Sequence, residues 1–270
     1  MEYSLLHEKT PIEEYNIDGF DLWVKRDDLY GESPAPPLAK LRGAKIVLER
    51  MKAEGIKKIA VFDTRISKSG TGIAYLCQEL GLHCAVGFPK LKAQTELNES
   101  QKKAHEMGAE VWAVQAGRTA PCYAAFKREA QLRGYTVLPL GLTFFETARE
   151  VAKIAEAEAE RFETIVVSTG TGTVACGIAL GARKAKVIGV SCGMSVERQK
   201  KRVMTICNEV RFDNPWNLEL VPTDYDYYQA LDTSSCPFPT SPFYDMKAYV
   251  WLLKNFDTLK QPVLFYNIGV

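Results

Sequence analysis

The feature that most constrains the fold is a regular alternation of apolar, strand-length runs with helix-length segments, which begins near residue 57. The first apolar run, KKIAVFDT (57–64), precedes a segment with helical spacing, SGTGIAYLCQELG (69–81), that ends at a glycine. Strands that alternate with helices of about 10–20 residues form βα units, whose strands pair in parallel. The alternation therefore predicts an α/β protein built on parallel sheets.

The alternation continues to residue 192 and returns at the C-terminus. The further predicted strands are 83–89, 110–115, 135–140, 164–170, 187–192 and 262–270, and the further predicted helices are 93–109, 120–134, 143–162 and 173–185. Their Val-, Ile- and Leu-rich runs are typical of strands that helices cover on both faces. The number of strands favours two sheets over one, and the apolar C-terminal run predicts a strand inserted in a sheet.

Charge and cysteine content exclude several function classes. The chain has 34 Lys and Arg against 33 Asp and Glu, a net charge of +1, which argues against a broad nucleic-acid or acidic-lipid surface. The basic run ERQKKR (197–202) is interpreted as a solvated helix face, or as a site for an anionic substrate group or a nucleic-acid backbone. Seven scattered cysteines without a CxxC pair predict a reducing, cytoplasmic location and no metal site. No apolar run approaches the ~20 residues that a membrane span needs.

A glycine-rich segment, STGTGTVACG (168–177), follows a predicted strand and opens a predicted helix. Gly170 and Gly172 permit a tight turn. Backbone N–H groups at a helix N-terminus attract anions, and the hydroxyls of Thr169, Thr171 and Thr173 add further donors. The segment predicts a phosphate-binding loop, although a glycine-rich turn that serves only helix–sheet packing has the same pattern.

The loop also satisfies the dinucleotide pattern GxGxxA through Gly170, Gly172 and Ala175. That pattern requires an acidic residue about 20 positions further on, at the end of the next strand, to bind the ribose. The next strand ends VSCGMS, and the first acidic residue is Glu197. NAD is therefore disfavoured, and NADP remains an alternative.

The segment LWVKRDDLYGESPAPPLAKLRGAK (22–45) places a Lys-Arg-Asp-Asp strand before a proline-rich turn and a helix. It resembles the N-terminal signature of fold-type II pyridoxal-phosphate enzymes, especially the aminocyclopropane-carboxylate deaminase and D-cysteine desulfhydrase group. In that family the lysine of a GGNK-type turn forms a Schiff base with the cofactor. The matching residue is Lys40, with Lys45 as its near competitor. Pro37, Leu38 and Ala39 stand where the family has two glycines and an asparagine.

A second match is DTRISKSGTGIAYLCQELGL (63–82), which is similar to the family's cofactor loop. The resemblance implies that Ser67 assists proton transfer and that Lys68 and Ser69 bind the cofactor. The family's asparagine is absent. Lys68 holds the phenolic oxygen of the cofactor or a substrate carboxylate, or it is a solvated loop charge.

Two further matches follow in order along the chain. The glycine loop is similar to the family's GTGGT phosphate cup, which implies that Thr169, Gly170, Thr171, Gly172 and Thr173 bind the cofactor phosphate. SPFYDMKAYVWLL (241–253) resembles a family helix start. It implies that Tyr244 lies near the substrate and that Asp245 faces the pyridine nitrogen. A core aromatic residue and a helix cap are the alternatives for these two.

The resemblance implies the fold of tryptophan synthase β-like enzymes, with two parallel-sheet domains of three-layer α/β/α construction. Residues 1–49 and 146–270 would form a large domain that binds pyridoxal 5'-phosphate, and residues 50–145 a small domain inserted between them. Family members are usually homodimers, and we expect the same here.

The predicted function is a pyridoxal-phosphate-dependent lyase or deaminase that acts on a small amino acid or amino-acid derivative through an internal aldimine. Lys40, Ser67 and Tyr244 are the predicted catalytic residues. One alternative is a β-replacement or tailoring enzyme for a larger substrate that carries an amino acid, because the chain is short and a missing lid would open the pocket. Another is a homologue that binds the cofactor without turnover.

Overall fold

A computed structural model describes Leu6 and residues 9–90, 96–115, 117–210 and 217–269. Contacts between Cα atoms divide the chain into two compact units. The first unit comprises Met1–Glu32, Pro37–Gly43 and Phe145–Val270, and the second comprises Ser33–Pro36 and Ala44–Phe144.

The described residues form ten strands and eight α-helices. The strands are β1 (Ile12–Ile17), β2 (Phe20–Arg26), β3 (Lys58–Phe62), β4 (His83–Lys90), β5 (Glu110–Gln115), β6 (Thr136–Val137), β7 (Thr164–Thr169), β8 (Lys186–Ser191), β9 (Leu218–Pro222) and β10 (Val263–Asn267). The helices are α1 (Leu41–Ala53), α2 (Ser69–Leu80), α3 (Glu99–Glu106), α4 (Thr119–Leu132), α5 (Phe145–Glu158), α6 (Thr173–Gly181), α7 (Val196–Val210) and α8 (Asp245–Asn255).

The first unit contains a six-stranded sheet in the order β1-β2-β10-β7-β8-β9. β1 and β2 pair antiparallel, and the other neighbours pair in parallel. Asp18 and Gly19 connect β1 to β2 with positive φ angles of 50° and 90°, as a two-residue hairpin turn requires. The C-terminal strand β10 lies between β2 and β7, so the prediction of an inserted apolar chain end is confirmed.

Helices pack against both faces of this sheet, as the buried runs predicted. Ile165 and Val167 of β7 pack in one apolar cluster with Val151 of α5 and Ile178 of α6. The intervening Val166 packs on the opposite face, in a cluster that includes residues of α8. Alternate strand residues point to opposite faces, so β7 is buried on both. Sheet and helices form three layers.

The second unit contains a four-stranded parallel sheet in the order β5-β4-β3-β6. An aromatic cluster builds one side of its core, where the Phe126 ring of α4 packs against Phe62 and Trp112. The predicted helix 93–109 begins only at Glu99, because Asn98 and Gln101 form a capping box there. Residues 93–95 lie outside the described residues.

Two strands of the larger sheet, β1 and β9, were not predicted from the sequence. The predicted α/β class with two mainly parallel sheets is confirmed. None of the helices in the described ranges has the length and apolar character that a bilayer crossing needs.

Candidate functional site

The glycine-rich segment joins β7 to α6 in the first unit. Gly172 is the N-cap of α6 and has a φ of +91°, a conformation that favours glycine. A Cβ atom added there would lie 2.8 Å from Val203 Cγ2, so the loop lies tightly against α7. Cys176 N donates the first helical bond of α6 to Gly172 O at 2.8 Å, and the N–H groups of the three preceding residues have no acceptor within the helix.

The polar groups of this loop are arranged for an anion. The Oγ1 atoms of Thr171 and Thr173 lie 3.2 Å apart. Thr169 is 2% exposed, and its Oγ1 has no hydrogen-bond partner within the part of the chain that the structure describes. Gln199 Nε2 donates to Thr169 O at 2.7 Å and to Gly170 O at 3.1 Å. Hydroxyl and N–H donors with two anchored carbonyls suit a phosphate monoester.

A pair of tyrosines lies against the same loop. A Cβ atom added to Gly170 would lie 3.7 Å from Tyr244 Cε1, so the Tyr244 ring lies beside the loop at Gly170. The Tyr244 hydroxyl shares a 2.8 Å hydrogen bond with the Tyr227 hydroxyl. Lys247, which is fully buried, donates to the carbonyls of Asp226 and Tyr227 and so holds the segment that carries Tyr227.

Asp245 is buried beside Tyr244, at the first position of α8. Its Oδ1 accepts a 2.5 Å hydrogen bond from Ser168 Oγ, and its Oδ2 accepts one from Gly269 N at 3.1 Å. Asp245 therefore ties the ends of β7 and β10 together. A carboxylate has about four acceptor sites, so these two bonds leave it able to accept another donor.

Lys40 is half-buried and directly precedes α1, in a turn closed by the 2.9 Å bond from Leu41 N to Leu38 O. Thr147 Oγ1 donates to Lys40 O at 3.2 Å. A Cβ atom added to Gly269 would lie 2.4 Å from Pro37 O, so the turn packs against the same glycine that donates to Asp245. These contacts place the Lys40 turn and Asp245 around one point of the first unit.

The Lys-Arg-Asp-Asp run forms a buried ionic scaffold. Lys25 pairs with Glu158, and Arg26 pairs with Asp28 through two hydrogen bonds. The scaffold reaches the chain end, because Asn267 Nδ2 donates to Asp28 at 2.9 Å.

Asp27 joins the scaffold to Arg42, which lies two residues after Lys40. Its carboxylate accepts a 2.6 Å bond from Arg42. Burial is the largest single effect and lowers the pKa of the Arg42 guanidinium, but the surrounding groups, led by the Asp27 carboxylate, together outweigh it and the pKa is raised. This scaffold fixes the position of the Lys40 turn.

The second unit holds Ser67, Lys68 and Ser69 at the N-terminus of α2. Ser67 Oγ accepts a bond from Ser69 N at 3.1 Å and donates to Ser69 Oγ at 3.0 Å. Asp63 is buried, and its carboxylate accepts bonds from Gly70 N at 2.5 Å and from Thr64 N at 2.8 Å. The chain's own side chains therefore already satisfy N–H groups at this helix start.

Contacts within the first unit join Tyr244 to the glycine loop, and they join the Lys40 turn to Asp245. Ser67, Lys68 and Ser69 share the start of α2 in the second unit. The sequence analysis missed Gln199, Tyr227 and Asp63. Gln199 could have been found from the sequence, because Gln199, Val203 and Ile206 follow helical spacing on one face of the segment that begins with the basic run.

Comparisons with known proteins identify the family of this chain. The model of a family described as "Pyridoxal-phosphate dependent enzyme" matches residues 3–228. A curated relative from Pseudomonas phage M6, named "Glycyl-dTMP PLP-dependent decarboxylase", is 31% identical over 283 residues, which cover 96% of this chain and 98% of the relative.

Solved structures share the fold. An ACC deaminase homologue has a TM-score of 0.86 at 19% identity and covers 98% of this chain and 90% of its own. O-ureido-L-serine synthase has a TM-score of 0.71 at 14% identity, with 98% and 90% covered. A pyridoxal 5'-phosphate-dependent aspartate racemase has a TM-score of 0.69 at 16% identity, with 96% and 89% covered. The fold-type II prediction is confirmed.

Proposed function

Because this chain belongs to the family of pyridoxal-phosphate-dependent enzymes, we propose that it is a lyase that releases CO2 from an amino acid carried on a pyrimidine nucleotide. The observation that carries the proposal is the 31% identity, over 96% of the chain, to a relative named a glycyl-dTMP decarboxylase. This proposal specifies the alternative of a tailoring enzyme for a larger substrate that carries an amino acid.

The cofactor is pyridoxal 5'-phosphate, and the glycine loop fits its phosphate. The buried hydroxyl of Thr169 has no hydrogen-bond partner among the described residues and can donate to the anion. The carbonyls of Thr169 and Gly170 already accept hydrogen bonds from Gln199. We assign the phosphate to residues 169–173. When bound, the cofactor withdraws the electron pair of the bond that breaks at the substrate's α-carbon.

Lys40 is the proposed attachment point for the cofactor aldehyde. The buried scaffold around Asp27 and the bond from Thr147 to Lys40 O hold its turn in place. In its protonated form, Lys40 Nζ would donate the proton that replaces the lost carboxylate at the α-carbon, while the carboxylate would leave as CO2 and its bonding electron pair would stay behind. Asp245 is proposed to face the pyridine nitrogen, and the tyrosine pair to face the substrate.

The start of α2 carries its own hydrogen-bond acceptors. A helix N-terminus ordinarily attracts an anion, but Asp63 and Ser67 already accept hydrogen bonds from the first N–H groups of α2. We propose that Lys68 is the cationic group through which this segment contacts the cofactor or the substrate, and that Ser67 and Ser69 act beside it.

A second candidate is the lyase or deaminase that acts on a small free amino acid. The tyrosine pair favours it, because Tyr244 lies against the glycine loop where the deaminase resemblance implies a substrate-facing tyrosine. The two candidates differ in their products. The first releases CO2 and keeps the amine, whereas the second releases ammonia, a keto acid or sulfide.

The test incubates the purified holoenzyme with glycyl-dTMP and, separately, with a panel of free amino acids. We expect CO2 from the nucleotide adduct and no ammonia. Ammonia, keto acid or sulfide from a small amino acid, without CO2 from glycyl-dTMP, would establish the second candidate instead.

Borohydride reduction of the holoenzyme tests the lysine. We expect the cofactor to become covalently fixed to a peptide that contains Lys40. Lys40→Ala should fold, lose the covalent adduct and lose turnover, whereas the matched variant Lys45→Ala should retain both. An adduct that maps to Lys45 or Lys68 would overturn the assignment.

The homodimer remains a proposal that rests on the family's usual assembly. Sedimentation at micromolar concentration should give twice the monomer mass of 30.2 kDa, and a monomer at that concentration would contradict the proposal.

A further inference from the structure

We propose that Gln199 is a positioning residue that makes the glycine loop selective for the phosphate group of the cofactor. The inference rests on the proposed placement of that phosphate at residues 169–173. Gln199 belongs to the basic run 197–202, and it is fully buried while its neighbours Arg198 and Lys200 are exposed.

The loop backbone carries two kinds of polar group. A peptide segment carries carbonyl acceptors as well as N–H donors, and a carbonyl dipole that faces a phosphate repels it. The two Nε2 protons of Gln199 bind Thr169 O at 2.7 Å and Gly170 O at 3.1 Å. One side chain of α7 therefore gives both carbonyls at the start of the loop a hydrogen-bond donor.

The neighbouring contacts hold this arrangement in place. Cys192 N also donates to Thr169 O, at 2.9 Å. One turn after Gln199, Val203 packs against Gly172, where an added Cβ atom would come within 2.8 Å of Cγ2. A Cβ atom added to Gly193 would lie 3.2 Å from Gly170 Cα. α7 and the residues directly after β8 thus contact the loop at Thr169, Gly170 and Gly172.

One buried donor without a partner points to a ligand rather than to a purely internal network. The hydroxyl of Thr169 is buried and has no hydrogen-bond partner in the described ranges. A buried hydroxyl without a partner is costly in a folded protein, so such a group commonly marks a bound water, ion or ligand. The Thr169 donor fits a phosphate oxygen, and the carbonyls beside it already accept hydrogen bonds from Gln199. Gln199 Oε1 also has no partner in those ranges, but it is an acceptor and does not fit a phosphate.

The experiment compares two cofactor forms that share the aldehyde and differ only in the phosphate. Apo-protein is titrated with pyridoxal 5'-phosphate and with pyridoxal, and binding is followed by the absorbance of the bound ring. In Gln199→Leu we expect the affinity for pyridoxal 5'-phosphate to fall about tenfold or more, since Gly170 O loses its side-chain donor and Thr169 O keeps only the bond from Cys192 N. The affinity for pyridoxal should change little, so the preference for the phosphorylated form falls.

Arg198→Gln is the matched control, because it removes an exposed positive charge from the adjacent position of α7. It should keep the wild-type preference. If Arg198→Gln lowers the preference as much as Gln199→Leu does, the basic face rather than the anchored carbonyls attracts the phosphate, and the proposal is wrong.

Gln199→Glu gives a second readout that a purely structural role would not change. An ionised carboxylate cannot donate to the two carbonyls, whereas a protonated one donates one hydrogen bond. The affinity of this variant for pyridoxal 5'-phosphate should therefore rise, relative to wild type, as the pH is lowered. Equal losses of affinity for both cofactor forms, or an unchanged preference, would overturn the proposal. None of these measurements requires turnover, so they stand apart from the identity of the reaction.

Discussion

Replacement of Gly172 by alanine tests how tightly the loop is fixed, and its cost can be worked out in two parts. A non-glycine residue at a φ of +91° costs roughly 1–2 kcal/mol. The new Cβ atom would also lie 2.8 Å from Val203 Cγ2, and relief of such overpacking costs about 1–3 kcal/mol. We expect Gly172→Ala to lower the free energy of unfolding of the apo-protein by about 2–5 kcal/mol.

Urea unfolding measures this loss, and Gly19→Ala is the control for the first part. Gly19 has nearly the same φ, +90°, but an added Cβ atom there meets nothing within 4 Å. Gly19→Ala should therefore show only the free-energy cost of a non-glycine residue at positive φ. The double variant Gly172→Ala/Val203→Ala should recover the overpacking part, with a coupling energy of about 1–3 kcal/mol between the two sites.

The reasoning fails if Gly172→Ala costs no more than Gly19→Ala, or if the effects of Gly172→Ala and Val203→Ala simply add. In either case the contact between the loop and α7 would carry no strain. Relief of the overlap between the new Cβ atom and Val203 would displace the loop together with its N–H groups. Gly172→Ala should therefore also bind pyridoxal 5'-phosphate more weakly than wild type.

Two other predictions concern stability. Asn217 Nδ2 donates to three carbonyls at the end of α6, so Asn217→Ala should lower the free energy of unfolding by about 1–3 kcal/mol in urea melts, and an unchanged midpoint would contradict this. Burial, helped by the Asp245 charge, raises the pKa of the Cys192 thiol from about 9 to about 12. Between these values the unfolded thiol ionises while the folded thiol does not, so stability falls as the pH rises, with Cys192 contributing up to about 1.4 kcal/mol per pH unit. Urea melts from pH 8 to 10 should show a shallower loss in Cys192→Ala, and identical slopes would refute the assignment.

The sequence predicted the central strands because their apolar runs are local signals. β7 and β10 are buried on both faces, and each contains a short apolar run, IVV in β7 and VLFY in β10. The missed strands, β1 and β9, are the two edges of the six-stranded sheet. Their sequences, IEEYNI and LELVP, mix exposed and half-buried positions, so their pairing follows from the neighbouring strand rather than from their own composition.

The residues of the candidate site also differ in whether the sequence alone predicts them. The glycine loop was predictable because its glycines and threonines lie within five consecutive residues. Gln199 was not, because its role is a contact with carbonyls about 30 positions earlier, and it stands within a charged run. Helical spacing alone could have marked it, since Gln199 shares a buried face with Val203 and Ile206.

The comparison of two helix starts shows why a motif is not yet a site. The sequence presents Ser67–Ser69 before α2 and Thr169–Thr173 before α6 as similar polar, glycine-containing turns. In α2 the Asp63 carboxylate already accepts the bond from Gly70 N, so the chain supplies its own anion. In α6 the corresponding space receives no side-chain carboxylate from the loop, and the Thr169 hydroxyl has no partner among the described residues. Only tertiary contacts distinguish the two, and they favour the second as the proposed phosphate site.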